Sequence, residues 1–151
     1  MKLDQLLQEE DVPFERMIHS PVYTSQLMAA ADHVSGHCVA KPVLVHGDRG
    51  FTMCVVPASS RLNLSRLAQL LDEHDVRLAS ETEMTKVCPD SELGAEPPIG
   101  RLYGLTTVMD EALRHEEYLV FQAGSHTSSV KVRREDYERL ASPVVGSIAD
   151  R

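Results

Sequence analysis

At 151 residues and a net charge of −8, the chain has the length of one domain and the wrong sign for an extended grip on nucleic acid, which relies on many Lys and Arg contacts to phosphates. Its 42% hydrophobic and 25% charged content is that of an ordinary globular protein, and no apolar run approaches the ~18 residues a membrane span needs. Cys38, Cys54 and Cys88 form no C-x-x-C pair, which argues against a disulfide framework or a cysteine zinc site and fits a reducing cytoplasm. The first residues carry no signal-peptide apolar core, so export is not expected. No repeat or linker divides the sequence, so residues 1–151 read as a single domain. DNA and membrane partners are not expected, whereas contact with only the end of a tRNA is compatible with the acidic balance.

In chain order, residues 2–10 read as an amphipathic helix with Leu3, Leu6 and Leu7 inward. A strand is predicted over 12–18 and a helix over 25–33, N-capped by Thr24 or Ser25. Strands over 38–45 and 51–57 flank His46-Gly47-Asp48-Arg49-Gly50, a hairpin signal. A helix over 64–73 has the inner stripe Leu64, Leu67, Leu70 and Leu71. After a short strand over 76–79, Ser80-Glu81-Thr82-Glu83 has the capping-box pattern and starts a helix to about residue 87. Strands follow over 106–109, 118–122 and 128–132, the last two forming a hairpin broken at Gly124. A helix over 134–140 and an edge strand over 144–148 close the chain. Residues 72–75 and 111–117 read as solvated faces. Strands and short helices mix without a regular βαβ rhythm, which indicates a mixed α/β (α+β) domain and not a doubly wound nucleotide fold.

The chemistry concentrates in a few places. Gly94-Ala95-Glu96-Pro97-Pro98-Ile99-Gly100 packs two glycines and two prolines into seven residues, a stiff loop whose backbone groups point in set directions. It fits a ligand-contacting backbone and equally a rigid turn between helix and strand. Lys41 lies on a predicted strand with Val39, Val43 and Val45 on one face and Ala40, Pro42 and Leu44 on the other. Both faces are mostly apolar, so its ammonium needs an anion, a cleft or a route to water. His126 follows two small residues at the start of a strand, where a ligand can approach the backbone. Ser125 and His126 are neighbours on an extended segment and point to opposite faces, so a Ser/His nucleophile pair is not expected. Phosphate-loop, dinucleotide and nucleophile-elbow motifs are absent, as is H-E-x-x-H. His33 and His37 are separated by the helix-ending Gly36, so no metal or cofactor is expected.

Tyr23-Thr24-Ser25, Val39-Ala40-Lys41, the Gly/Pro loop and Ala123-Gly124-Ser125-His126, in that order and spacing, resemble the YbaK/ProX type of aminoacyl-tRNA deacylase, related to the editing domain inserted in bacterial prolyl-tRNA synthetases. The resemblance runs from about His19 to Ile148. It implies a mixed, partly barrel-like sheet surrounded by short helices. It also implies hydrolysis in trans of the ester between a tRNA and a wrong, small amino acid, with the 3′ end of the aminoacyl-tRNA as partner and a synthetase as a further one. On this resemblance Lys41 anchors the terminal adenosine phosphate or otherwise fixes the acceptor end. Gly94 and Pro98 match the ends of the family's G-x-x-x-P loop, where backbone groups at Gly94 and Ala95 hold the scissile carbonyl or the attacking water. Gly124, Ser125 and His126 bind beside the amino acid, and Thr24 and Ser25 line the same cleft. A ribose hydroxyl of the substrate assists proton transfer in related enzymes. Pro42 stands where many members have Thr, Ser or Ala, and Ile99 where related loops often carry Phe; both bear on substrate identity. Two rivals use the same residues: a non-catalytic aminoacyl- or nucleotide-binding regulatory module, and a Schiff-base enzyme with Lys41 as nucleophile.

Overall fold

The hairpin of β2 (Ala40–Gly47) and β3 (Gly50–Pro57) forms the middle of the larger sheet in the computed structural model, which describes residues 2–21, 25–32 and 34–150, without the side chains of 25–27. The pair runs antiparallel from Ala40 opposite Pro57 to Gly47 opposite Gly50, joined by the two residues Asp48 and Arg49. Gly50 at φ 107° supplies the left-handed angle the tight turn demands. Asp48 accepts the N–H groups of His74 and Asp75, which ties the turn to the end of α3 (Leu64–Leu71).

Three more strands complete this sheet. β5 (Arg77–Leu78) flanks β2; β6 (Thr106–Asp110) runs parallel to β3, and β9 (Val144–Gly146) parallel to β6, in the order β5-β2-β3-β6-β9. β5 pairs only with Val45 and His46, so Pro42 sits beyond its reach. The Leu44 carbonyl accepts the Ala79 N–H on that side. Residues 42 and 44 therefore turn their backbone groups to the same edge, and the missing proline donor costs no ladder bond.

A second, antiparallel sheet has the order β1-β8-β7, from β1 (Glu15–Ile18), β8 (Ser128–Arg133) and β7 (Tyr118–Ser125). A parallel bridge between Val39 and Val120 joins the two sheets. Met53, Val55 and Met109 of one sheet pack with Leu119, Phe121, Val130 and Val132 of the other. α1 (Lys2–Glu9) closes this core with Leu3, Leu6 and Leu7, and α5 (Arg134–Ala141) with Tyr137 and Leu140. On the opposite face of the larger sheet, Val45, Cys54, Val56 and Val108 pack on Leu67 of α3. Below α2 (Ser25–Ala31), Met28 and Ala29 meet Val39, Ala58 and Val120. The expected mixed fold, with a partly closed sheet and short helices around it, is the one observed.

Several boundaries differ from expectation. α2 ends at Ala31 and α3 at Leu71, where Asp72 takes φ 54°. The capping box is present as read: the Ser80 hydroxyl accepts the Glu83 N–H, the Glu83 carboxylate accepts the Ser80 N–H, and α4 spans Glu81–Val87. Residues 111–117 are not simply a solvated face. Glu111–His115 is a 3-10 turn capped by Asp110, and it buries Leu113 completely. Glu73 is likewise buried, its carboxylate accepting the Arg49 N–H. The expected edge strand over 144–148 splits into β9 and β10 (Ala149–Asp150), which pairs with the two-residue β4 (Arg61–Leu62). Asp110 sets this split: its Oδ1 accepts the N–H groups of Ile148 and Ala149.

Candidate active site

The Gly/Pro loop leaves α4 and is held at each end and from beneath. Gly94 adopts φ 87°, and its N–H donates to Oε1 of Glu96 at 3.0 Å. The Ala95 N–H donates to the Glu92 carbonyl at 2.9 Å, and the Ile99 N–H to the Pro97 carbonyl at 2.9 Å. The Gly100 N–H donates to Oγ1 of Thr107 at 2.8 Å. A β-carbon on Gly100 would lie 2.7 Å from the Leu105 carbonyl oxygen, so only glycine fits there. The buried Tyr137 hydroxyl donates to the Pro98 carbonyl. Gly94 is exposed, whereas residues 95–100 are buried. The loop is stiff because two prolines fix its backbone and most of its backbone polar groups are bonded.

The far end of β7 meets this loop. Its pairing with β8 breaks between Gln122 and Ser125, a bulge in which Gly124 takes φ 95°. The Gly124 N–H donates to the Ala95 carbonyl at 2.9 Å, and the Gly124 carbonyl accepts the Glu92 N–H at 2.8 Å. β7 continues to Ser125, so His126 is the first residue of the two-residue turn to β8 and not the start of a strand. The bulge places two residues of β7, Ala123 and Gly124, opposite none of β8. His126 is 8% exposed; its Nε2 lies 2.8 Å from the Leu93 carbonyl, to which it donates, and 4.0 Å from Oε2 of Glu92. A β-carbon on Gly94 would lie 3.5 Å from its Cε1. The Ser125 hydroxyl lies 3.1 Å from that of Thr127 and accepts the Thr127 N–H, so it braces the turn.

Lys41 occupies β2, half-buried, with its Nζ donating to the Ser60 carbonyl at 2.8 Å. Burial, and secondarily the nearby Arg61 guanidinium, hold its ammonium below the usual lysine range. Among the described residues no carboxylate pairs with it. Ser60 also lines a cleft of about 390 Å³ with His37, Pro57, Ser59, Ala112 and His115. The structure thus brings Gly94, Ala95 and Pro98 together with Gly124, Ser125 and His126. Lys41 stands on the adjacent strand: its neighbour Ala40 shares an apolar cluster with Ile99 and Ala123, while no hydrogen bond or ion pair links Lys41 itself to the loop among the described residues. Thr24 and the Ser25 side chain lie outside the described residues, as does His33; Ser25 begins α2.

Sequence reasoning missed Glu96 and Tyr137 as supports of the loop. Glu96 had a local signal, a carboxylate two residues beyond a glycine in a proline-stiffened loop; Tyr137 had none. Burial pushes the Cys54 and Cys88 thiols up to about 12, so neither is a nucleophile near neutral pH. Among the described residues no group of three His, Cys, Asp or Glu side chains could hold a metal ion, and no helix is long and apolar enough to cross a membrane. His37 instead bonds the Ser59 hydroxyl at 2.8 Å.

The family described as "Aminoacyl-tRNA editing domain" matches residues 19–140. No curated protein matches the sequence. Among solved structures, the hypothetical protein APE2540 superposes with a TM-score of 0.89 at 20% identity, covering 99% of this chain and all of the other. A candidate trans-editing enzyme for prolyl tRNA synthetase superposes with a TM-score of 0.86 at 18% identity, covering 99% of this chain and 96% of the other. A candidate signal transduction protein from Marinobacter aquaeolei VT8 has a TM-score of 0.78 at 19% identity, covering 99% of this chain but 30% of that longer one. These likenesses establish the fold.

Proposed function

The chain belongs to the aminoacyl-tRNA editing domain family, and from that premise we propose that it is a freestanding deacylase, hydrolysing in trans the ester that joins a wrongly attached amino acid to tRNA. One observation carries the reading furthest: the Gly124 bulge and the Gly94–Pro98 loop are bonded to each other with the buried His126 against Gly94. Aminoacyl esters are already activated, so the protein must place water, hold the ester and stabilise the developing oxyanion.

Gly94 is the accessible donor. Its N–H is held by the Glu96 side chain, which a ligand can displace more readily than a backbone partner. In the reaction that N–H takes the ester carbonyl or the water, with Ala95 and Pro98 fixing the loop behind it. Water oxygen bonds to the carbonyl carbon, and its proton passes through a ribose hydroxyl. The bond from carbon to ribose oxygen then breaks, releasing a free amino acid and the tRNA with its hydroxyl restored. Lys41, a half-buried cation without a carboxylate partner among the described residues, anchors a phosphate at the tRNA 3′ end. Gly124, Ser125 and His126 border the aminoacyl group; the small Ala, Gly and Ser residues favour a small amino acid. A synthetase, prolyl-tRNA synthetase among them, is the partner in this scheme, and a single domain in the cytoplasm is its setting. Release of amino acid from alanyl-, cysteinyl-, seryl- and threonyl-tRNAs, compared with spontaneous hydrolysis, tests it.

A second reading is a non-catalytic binding module. It is favoured by the occurrence of this fold within the longer signal transduction protein and by the net charge of −8. Binding of aminoacyl-tRNA without turnover would support it.

A further inference from the structure

His19 and Asp32 face each other with buried side chains, Nε2 of one 3.9 Å from Oδ1 of the other, too far for a hydrogen bond. His19 follows β1, and its backbone N–H donates to the Thr127 carbonyl at 2.9 Å, beside the turn that carries His126. Its side chain is 5% exposed. Nδ1 lies 2.9 Å from the Ser20 carbonyl oxygen. A carbonyl only accepts, so Nδ1 carries the proton, and in the neutral ring Nε2 is a bare lone pair. That Nε2 is buried and has no hydrogen-bond partner among the described residues.

Asp32 is the residue after α2. The Asp32 side chain is 2% exposed; its Oδ2 accepts the fully buried Ser129 hydroxyl at 2.6 Å. No Lys or Arg pairs with Asp32 among the described residues. A buried carboxylate without a counter-charge is costly, and so is a buried lone pair without a donor. With the ring neutral, a cation with at least two N–H bonds relieves both. A single nitrogen about 2.8 Å from each acceptor spans their separation.

We propose that Nε2 of His19 and the carboxylate of Asp32 together receive the α-ammonium group of the aminoacyl ester. This rests on the deacylase reading above and supplies a contact that reading lacks. It also gives the site a reason to reject esters whose nitrogen is acylated or missing, because a neutral group leaves the buried carboxylate unpaired.

The test compares an aminoacyl-tRNA with the α-hydroxyacyl-tRNA made from it by nitrous acid, each relative to its own spontaneous hydrolysis. Wild type should prefer the ammonium ester by about tenfold or more, the effect of one charge-assisted hydrogen bond. Asp32→Asn should bring the two within about threefold, read as a loss in kcat/KM for the ammonium ester only. Equal handling of both esters by wild type, or a preference that survives Asp32→Asn, overturns the proposal and leaves the deacylase reading standing. Hydrolysis of neither ester overturns both. If Asp32→Asn does not fold, nitrogen NMR of His19 in the wild type decides. A bare Nε2 that gains a partner on adding alanine adenosyl amide supports the proposal; an Nε2 already protonated against Asp32 at neutral pH overturns it.

Discussion

The Gly124 N–H donates to the Ala95 carbonyl at 2.9 Å, joining the β7 bulge to the Gly/Pro loop across 29 residues of sequence. The return bond, from the Glu92 N–H to the Gly124 carbonyl, makes the contact a clamp. Gly124 meets it only at φ 95°. A side chain there costs about 1–2 kcal/mol. Gly124→Ala should lower stability by that amount in urea denaturation and reduce deacylation at least about tenfold, because the loop loses its register against His126. Unchanged turnover would detach the clamp from the chemistry.

Tyr137 supports the loop from below through its bond to the Pro98 carbonyl, and packs edge-on to Phe121 with ring centroids 5.9 Å apart. Tyr137→Phe keeps the packing and leaves the carbonyl without its donor. A loss of about 1–3 kcal/mol is expected on unfolding. Faster hydrogen exchange at Ile99 and Gly100 should accompany it, measurable by NMR.

What was legible in the sequence was local. Ser80 and Glu83 are three residues apart, so the capping box could be read directly, as could the Gly47–Gly50 hairpin. The loop and the glycine–histidine segment were legible as motifs because Gly and Pro carry their backbone preferences with them. Contacts between distant residues were not: Asp32 and Ser129 are 97 positions apart, Pro98 and Tyr137 are 39 apart, and nothing in either segment marks its partner. β4 and β10 were missed because two residues show no periodicity, and because their pairing depends on Asp110 turning the chain at Ile148. His126 was placed one element late, since the bulge adds two residues, Ala123 and Gly124, that the sequence pattern does not mark.

Glu83 marks the acid limit of one corner of the fold. Hydrogen bonds from the Arg77 guanidinium at 2.8 and 3.0 Å, and then from the Ser80 N–H, draw its carboxyl down to about 2. A carboxyl depressed in the folded state adds stability above its ordinary range near 4.5, and that stability is lost as pH falls toward about 2. Glu83→Gln should therefore be less stable than wild type at pH 7, and the gap should narrow as pH falls from 4.5 to 2. Thermal melts across that window measure it. A gap that widens on acidification would contradict the assignment.

The account turns on Lys41, whose ammonium is half-buried against the Ser60 carbonyl with no carboxylate among the described residues to neutralise it. The most direct measurement is the release of amino acid from mischarged tRNA by wild type and Lys41→Ala under single-turnover conditions. Turnover of at least one small aminoacyl ester by wild type, falling about 100-fold or more in a folded Lys41→Ala, is the predicted result. Turnover that survives loss of the lysine, or no release above the spontaneous rate by wild type, would contradict it.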